Sequence, residues 1–151
     1  MASAPARFDG VDTFRTSRTL AHPPAAVFAA FADGASLARW WGPSGFRNTF
    51  QTFDFRSGGE WVFTMHGPDG RAYPNHSRFE TVQPPTTVVI RHHSEPQYRL
   101  TVAIEAADAG ARLTWEQRFD RPGVAAGIRH IVEPANEQNL DRLQAELAGQ
   151  R

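Results

Sequence analysis

The chain has 151 residues, 40% hydrophobic and 21% charged, with a formal net charge of zero at pH 7. That length suits one domain able to bury its own core. The balanced charge argues against a dedicated binder of nucleic acid or of anionic membranes, since both tasks need a basic face. Cysteine and lysine are absent, and all sixteen basic residues are arginine. Disulfides, thiolate nucleophiles, cysteine-ligated metals, Schiff bases and a P-loop lysine are thereby excluded.

Residues 1–10, rich in Ala, Ser and Pro without an apolar run, are expected to be a disordered lead-in, and residues 11–149 one domain. No stretch approaches the ~20 apolar residues of a membrane span, so no membrane insertion and a cytoplasmic location are expected. Val11–Leu20 alternates weakly and is rich in Thr and Phe, which predicts a strand. His22-Pro23-Pro24 ends it. Proline suits a helix's first turn, and Val27, Phe28 and Phe31 fall at helical spacing, so a short helix is expected over 24–32. Asp33-Gly34 breaks it, and Ser36 is the expected cap of a second short helix ending near Trp41.

Trp40-Trp41-Gly42-Pro43-Ser44-Gly45-Phe46 then places two large rings before a sharp turn. Each such ring can bury ~150–250 Å², so the corner is either core or the mouth of an apolar pocket. Strands are expected over 46–55, 60–66, 72–82, 87–93, 98–106 and 112–119. In the last two, Tyr98, Leu100, Val102 and Ile104 alternate with polar residues, as do Leu113, Trp115, Gln117 and Phe119. One face is buried and the other wet, as in an antiparallel sheet. Beyond Gly123 the period changes to 3.6: Ile128, Ile131, Val132, Ala135, Leu140, Leu143 and Leu147 trace one helical stripe. Pro134 lies inside that run and should kink or divide the helix near Val132–Glu133. A seven-stranded antiparallel sheet with one apolar face needs a cover. The long C-terminal helix is large enough to supply it, but one cylinder cannot fill a wide concave sheet. The gap left between them is where a ligand pocket forms.

The residues Trp40-Trp41-Gly42-Pro43, Asn48-Thr49-Phe50, Phe53-Asp54-Phe55, Gly58-Gly59, Met65 to Gly70, Tyr73-Pro74-Asn75 and Asn136 to Asp141 together span almost the whole chain. In this set the chain resembles the START-like (SRPBCC) superfamily, in the branch related to the C-terminal domain of the activator of heat-shock-protein-90 ATPase. The resemblance implies an α+β helix-grip fold: a curved seven-stranded antiparallel sheet around a long C-terminal helix, with two short helices after the first strand. Relatives in the wider superfamily bind sterols, lipids, polyketides or plant hormones in the cavity, and a few catalyse cyclisation or dehydration there. Two positions depart from the branch: His76 stands where an acidic residue is expected, and Pro134 where a small non-proline residue is expected.

Candidate site residues follow from face and type. Trp40, Trp41, Phe46 and Trp61 could wall a pocket entrance, with Phe63 and Met65 on the same strand face as Trp61. His92 points inward by alternation with Val88 and Ile90, where an imidazole can orient a ligand or act as acid or base near neutral pH. Tyr98, Trp115 and Gln117 share that inner face. A buried amide needs partners, so Gln117 bonds either to the helix, at Asn136 or Asn139, or to a ligand carbonyl or hydroxyl. Ile131 completes the helix side. His92 and His93 point to opposite faces, so no metal site is expected, and no cofactor motif is present. The expected function is binding of an apolar or aromatic small molecule, of lipid or polyketide class, in the sheet–helix cavity. The alternatives are a cyclase or dehydratase with His92 as acid/base, and a chaperone-interaction module. Edge strands would also allow a homodimer.

Overall fold

The computed structural model describes the backbone of residues 4–8, and residues 12–121 and 123–149 in full. The strands are β1 (Ala4–Phe8), β2 (Thr13–Leu20), β3 (Arg47–Phe53), β4 (Glu60–His66), β5 (Ala72–Gln83), β6 (Thr87–His92), β7 (Tyr98–Ala107) and β8 (Gly110–Phe119). The helices are α1 (Pro24–Ala32), α2 (Gly34–Trp40) and α3 (Val124–Gly149). The strands make one sheet in the order β1-β2-β8-β7-β6-β5-β4-β3, and every neighbouring pair is antiparallel. From β3 to β8 the chain meanders. The link from β2 to β3 crosses the whole sheet, and it carries α1 and α2.

The seven expected strands are present, and β1 is an addition to them. Of the lead-in expected over 1–10, residues 1–3, 9 and 10 lie outside the described residues, as does Val11, but Ala4–Phe8 pairs with β2. The physical reason is the open edge of β2, whose backbone N–H and C=O groups accept a further strand. Backbone pairing at an edge asks for no apolar pattern, so composition could not reveal it. The cap of α2 also differs from expectation. The Asp33 carboxylate accepts from the backbone N–H of Ala35 at 3.0 Å and of Ser36 at 3.5 Å. The Ser36 hydroxyl instead donates to Glu146 on α3 at 2.9 Å.

α3 is a single helix from Val124 to Gly149 with Pro134 inside it, so the expected division does not occur. Proline removes one donor from the ladder, and the turns on either side remain helical. Leu140, Leu143 and Leu147 are buried as the stripe predicts, but Ile131 is 58% exposed. The stripe is thus interrupted at Ile131, with Ile128 and Val132 lying against Phe14 and Phe119 and the leucines of the C-terminal half in the main core. Buried Arg18 on β2 pins this half, reaching Asp141 at 2.6 Å and Glu137 at 2.9 Å. The Thr16 hydroxyl adds a bond to Glu137 at 2.6 Å. A buried guanidinium is tolerable only when paired in this way.

The core between sheet and helices is strongly aromatic toward β3, β4 and β5. Trp61 is fully buried, its ring stacked 4.1 Å from Phe63 and 5.4 Å from Phe79. Phe50, Phe53 and Phe55 close around it. A second, smaller cluster of Phe14, Phe119 and Ala125 lies under the start of α3, with Ile128 and Val132 against it.

Candidate functional site

The interior is not filled everywhere. A narrow cavity of about 110 Å³ lies between the sheet and the middle of α3. Met65, Tyr98, Leu100, Trp115 and Gln117 line its sheet side, Ala135, Asn136 and Asn139 its helix side, and Trp41-Gly42-Pro43 its end. An open groove of about 510 Å³ adjoins it, walled by Phe46, Tyr73, Pro74, His92, Pro96 and Ile131 among others. Pro43, Met65 and Tyr98 border both spaces.

The meander explains why these side chains converge. Inner-face positions of β6, β7 and β8 lie side by side: His92 is opposite Tyr98, and Leu100 is opposite Gln117. The β4–β5 hairpin sets Phe63 opposite Asn75 and Met65 opposite Tyr73, which brings Asn75 to His92. Helix α3 then lays Ala135, Asn136 and Asn139 across β8.

Of the thirteen residues singled out from the sequence, the structure gathers ten around these two spaces. Trp41, Trp115, Gln117, Asn136 and Asn139 line the cavity, Phe46, His92 and Ile131 the groove, and Met65 and Tyr98 both. Trp40, Trp61 and Phe63 are core instead. The Trp40 indole N–H donates to the Ala30 carbonyl at 2.9 Å, which ties α2 to α1. Trp61 and Phe63 are sealed within the aromatic stack. Ile131, 58% exposed, is a groove wall, while Ala125, Ile128 and Val132 on the same stretch of α3 pack with Phe14 and Phe119 of the sheet.

His92 is 6% exposed, its ring stacked 4.4 Å from Tyr98. Nε2 lies 2.7 Å from the Asn75 side-chain oxygen and Nδ1 lies 3.1 Å from the Pro96 carbonyl. Both partners are acceptors, and a neutral imidazole carries one N–H, so it satisfies one of them at a time. Burial holds the His92 pKa below its ordinary value, opposed by the Pro96 carbonyl. Burial likewise raises the Tyr98 phenol, so it stays protonated throughout the physiological range.

Gln117 accepts from the Asn136 side-chain N–H at 3.0 Å. The helix alternative read from the sequence is thus realised, at Asn136. Asn139 turns to the loop and donates to the Trp40 carbonyl at 2.9 Å. Sequence reasoning missed two further groups. Asn75 was readable from hairpin register, since the Gly67 to Gly70 turn fixes which face it shares. Arg142 had no such signal. Its Nη1 donates to the carbonyls of Trp41, Gly42 and Pro43 at 3.0, 3.0 and 2.9 Å, and its Nη2 to those of Arg39 and Phe46 at 2.7 and 2.9 Å. One guanidinium thereby organises the whole corner that ends the cavity. At that corner Gly42 has φ 99°, and a Cβ there would lie 2.7 Å from the Met65 methyl. The positive φ is what calls for glycine here, since the Met65 methyl is the end of a flexible side chain and can shift.

The other histidines do not join the site. His66 bonds Thr49 at 2.9 Å, and His76 and His93 face each other 5.3 Å apart. Among the described residues no three metal-ligating side chains converge, and no helix is long and apolar enough to cross a membrane.

A sheet gripping one long terminal helix, with a cavity held between them, defines a helix-grip protein of the START-like superfamily. The chain belongs to the family of activator of Hsp90 ATPase homolog 1-like proteins, which it matches over residues 21–148. Its fold is shared with a solution structure from Arthrobacter aurescens (22% identity, TM-score 0.88, 97% of this chain and 92% of that one covered). A crystal structure from Nitrosomonas europaea is similar (18% identity, TM-score 0.85, 96% and 99% covered). So is the AHSA1 protein of Silicibacter pomeroyi (29% identity, TM-score 0.74, 90% and 97% covered). No curated protein matches.

Proposed function

We propose that this protein binds an apolar or aromatic small molecule, of lipid or polyketide class, in the groove and the cavity behind it. The observation that carries this reading is the adjoining pair of spaces between sheet and helix, walled mainly by Phe46, Met65, Tyr73, Tyr98, Trp115 and Ile131. Tyr73 and Ile131 are the two exposed large hydrophobic residues among those described, and both stand on the groove. Burying ~200 Å² of apolar ligand area there would contribute roughly 5 kcal/mol before the costs of association.

Two features favour binding over catalysis. Both ring nitrogens of His92 rest on protein oxygens, so a proton shuttle would first have to break one of these contacts. Glu95 is the one carboxylate lining either space, and the ring nitrogens of His92 rest on Asn75 and Pro96 rather than on it. The chaperone alternative calls for an extended exposed apolar face, and among the described residues the exposed large hydrophobic side chains, Tyr73 and Ile131, both stand on the groove. Titration with Nile red, a neutral apolar dye, tests the reading. Saturable dye binding that perturbs tryptophan emission, through Trp41 and Trp115, is the expected result. No saturable binding and no thermal shift across lipids, polyketides and flavonoids would remove it.

A further inference from the structure

The inner cavity carries a polar pattern that an apolar pocket does not need. Tyr98 lines both this cavity and the groove, and its hydroxyl makes no hydrogen bond among the described residues. It is also not one of the polar atoms sealed away from all space, which are Arg18 Nε, Asn48 Oδ1, Trp61 Nε1, Trp115 Nε1 and Glu133 Oε2. Gln117 and Asn136, each 8% exposed, spend one group apiece on their mutual bond. Their remaining groups, the Gln117 NH₂ and the Asn136 carbonyl, have no hydrogen-bond partner among the described residues. Turning both amides over exchanges the two roles but leaves the same offer: one donor and one acceptor beside the Tyr98 hydroxyl. No cationic side chain lines this cavity. The Arg142 guanidinium, at the corner that ends the cavity, has its N–H groups directed at backbone carbonyls.

We propose that the cavity selects a neutral oxygen function, a ketone or a hydroxyl, at the head of the ligand, while the apolar remainder lies in the groove. This rests on the binding function proposed above and names the ligand class for it. A ketone oxygen accepts from Tyr98 O–H and from the Gln117 amide, using both lone pairs. A hydroxyl does the same and also donates to the Asn136 carbonyl. A carboxylate would enter as a buried charge with no counter-ion, which is far costlier than burying a neutral group. The inner cavity of about 110 Å³ is several times the space one water needs, so it accommodates a head group and not merely a solvent molecule.

The test is competition against Nile red with four ligands on one skeleton: 2-acetylnaphthalene, 2-(1-hydroxyethyl)naphthalene, 2-ethylnaphthalene and 2-naphthoate. The ketone and the alcohol should compete at concentrations about tenfold below the other two. Tyr98→Phe removes a single oxygen and keeps the ring on His92. It should reduce the ketone's advantage over 2-ethylnaphthalene about threefold to tenfold, with the loss falling on the ketone's own affinity. Equal competition by 2-ethylnaphthalene, or better competition by 2-naphthoate, overturns the neutral-oxygen assignment while the apolar binding function stands. An unchanged ketone preference in Tyr98→Phe, with its melting temperature preserved, also overturns it. Failure of Nile red itself to bind defeats the binding function, and this inference with it.

Discussion

The two ends of the sheet–helix interior are built from the same inner face and behave oppositely. Around Trp61 the strands β3, β4 and β5 and the short helices supply ring upon ring, with centroids 4.1 to 6.3 Å apart. Trp61, Phe63 and Phe79 are buried there. Around Tyr98 the same face meets Ala135, Gly42 and the amides of Gln117, Asn136 and Asn139, which are too small or too polar to fill the space. Interiors pack to near-crystalline density wherever side chains are large enough. The cavity therefore marks where large residues were withheld, and Gln117 and Asn136 mark where polar ones took their place. The first end holds the fold and the second is available for a ligand.

The sharpest way to break this comparison is Trp61→Ala, which opens the packed end. It should lower unfolding free energy by about 3–5 kcal/mol, measured by urea denaturation, with Nile red affinity of the folded protein unchanged. Loss of affinity equal to the loss of stability would show that the two ends are not separable. Next is Arg142→Met, which leaves five carbonyls of the Arg39–Phe46 corner without their shared donor. We expect a loss of about 2 kcal/mol together with weaker dye binding, because Trp41, Gly42 and Pro43 form the cavity end. Unaltered dye affinity would mean that the corner holds its shape without the guanidinium.

The amide pair sharpens the comparison at its other end. Gln117→Leu or Asn136→Leu alone leaves the partner amide buried and unbonded, at about 1–3 kcal/mol each. The double variant should be less destabilised than the sum of the singles, in a double-mutant cycle by thermal melting. Additive losses would show that the bond between them carries no coupling. The smallest effect is pH-dependent. Burial holds the folded-state pKa of His92 below its ordinary 6.5, so the unfolded chain takes up a proton first as pH falls. The His92 contribution is complete above that ordinary value and is lost as pH drops toward the folded one. Between about pH 7.5 and 5, His92→Gln should therefore show a flatter decline of stability than the unmodified protein. Parallel declines in denaturation midpoints would rule out His92 as a source of the slope.

Much of the architecture could be read along the chain. Alternation in 87–93, 98–106 and 112–119 identified the inner face that carries His92, Tyr98, Trp115 and Gln117. The period change beyond Gly123 identified α3. These features are local: a strand with one wet face or a helix with one buried stripe writes its period into consecutive residues. Asp33 and Ser36 show the limit even at short range. Both are good caps, and the choice fell to Asp33 because Glu146, 110 positions away from Ser36, takes the serine hydroxyl.

What only the tertiary structure decided is which large residues fill space and which border it. Trp41 and Trp61 look equivalent in sequence, yet one lines the cavity and the other is sealed in a stack, because that depends on which strands and helices meet above each ring. Ile131 belongs to the apolar stripe by spacing and stands exposed on the groove, while its neighbours Ile128 and Val132 pack against Phe14 and Phe119. Arg142 carries no motif, and its role comes from five backbone carbonyls that converge only after the chain has folded back a hundred residues. Periodicity records a residue's own element, whereas packing depends on neighbours remote in sequence, so the faces were evident before folding and the cavity was not.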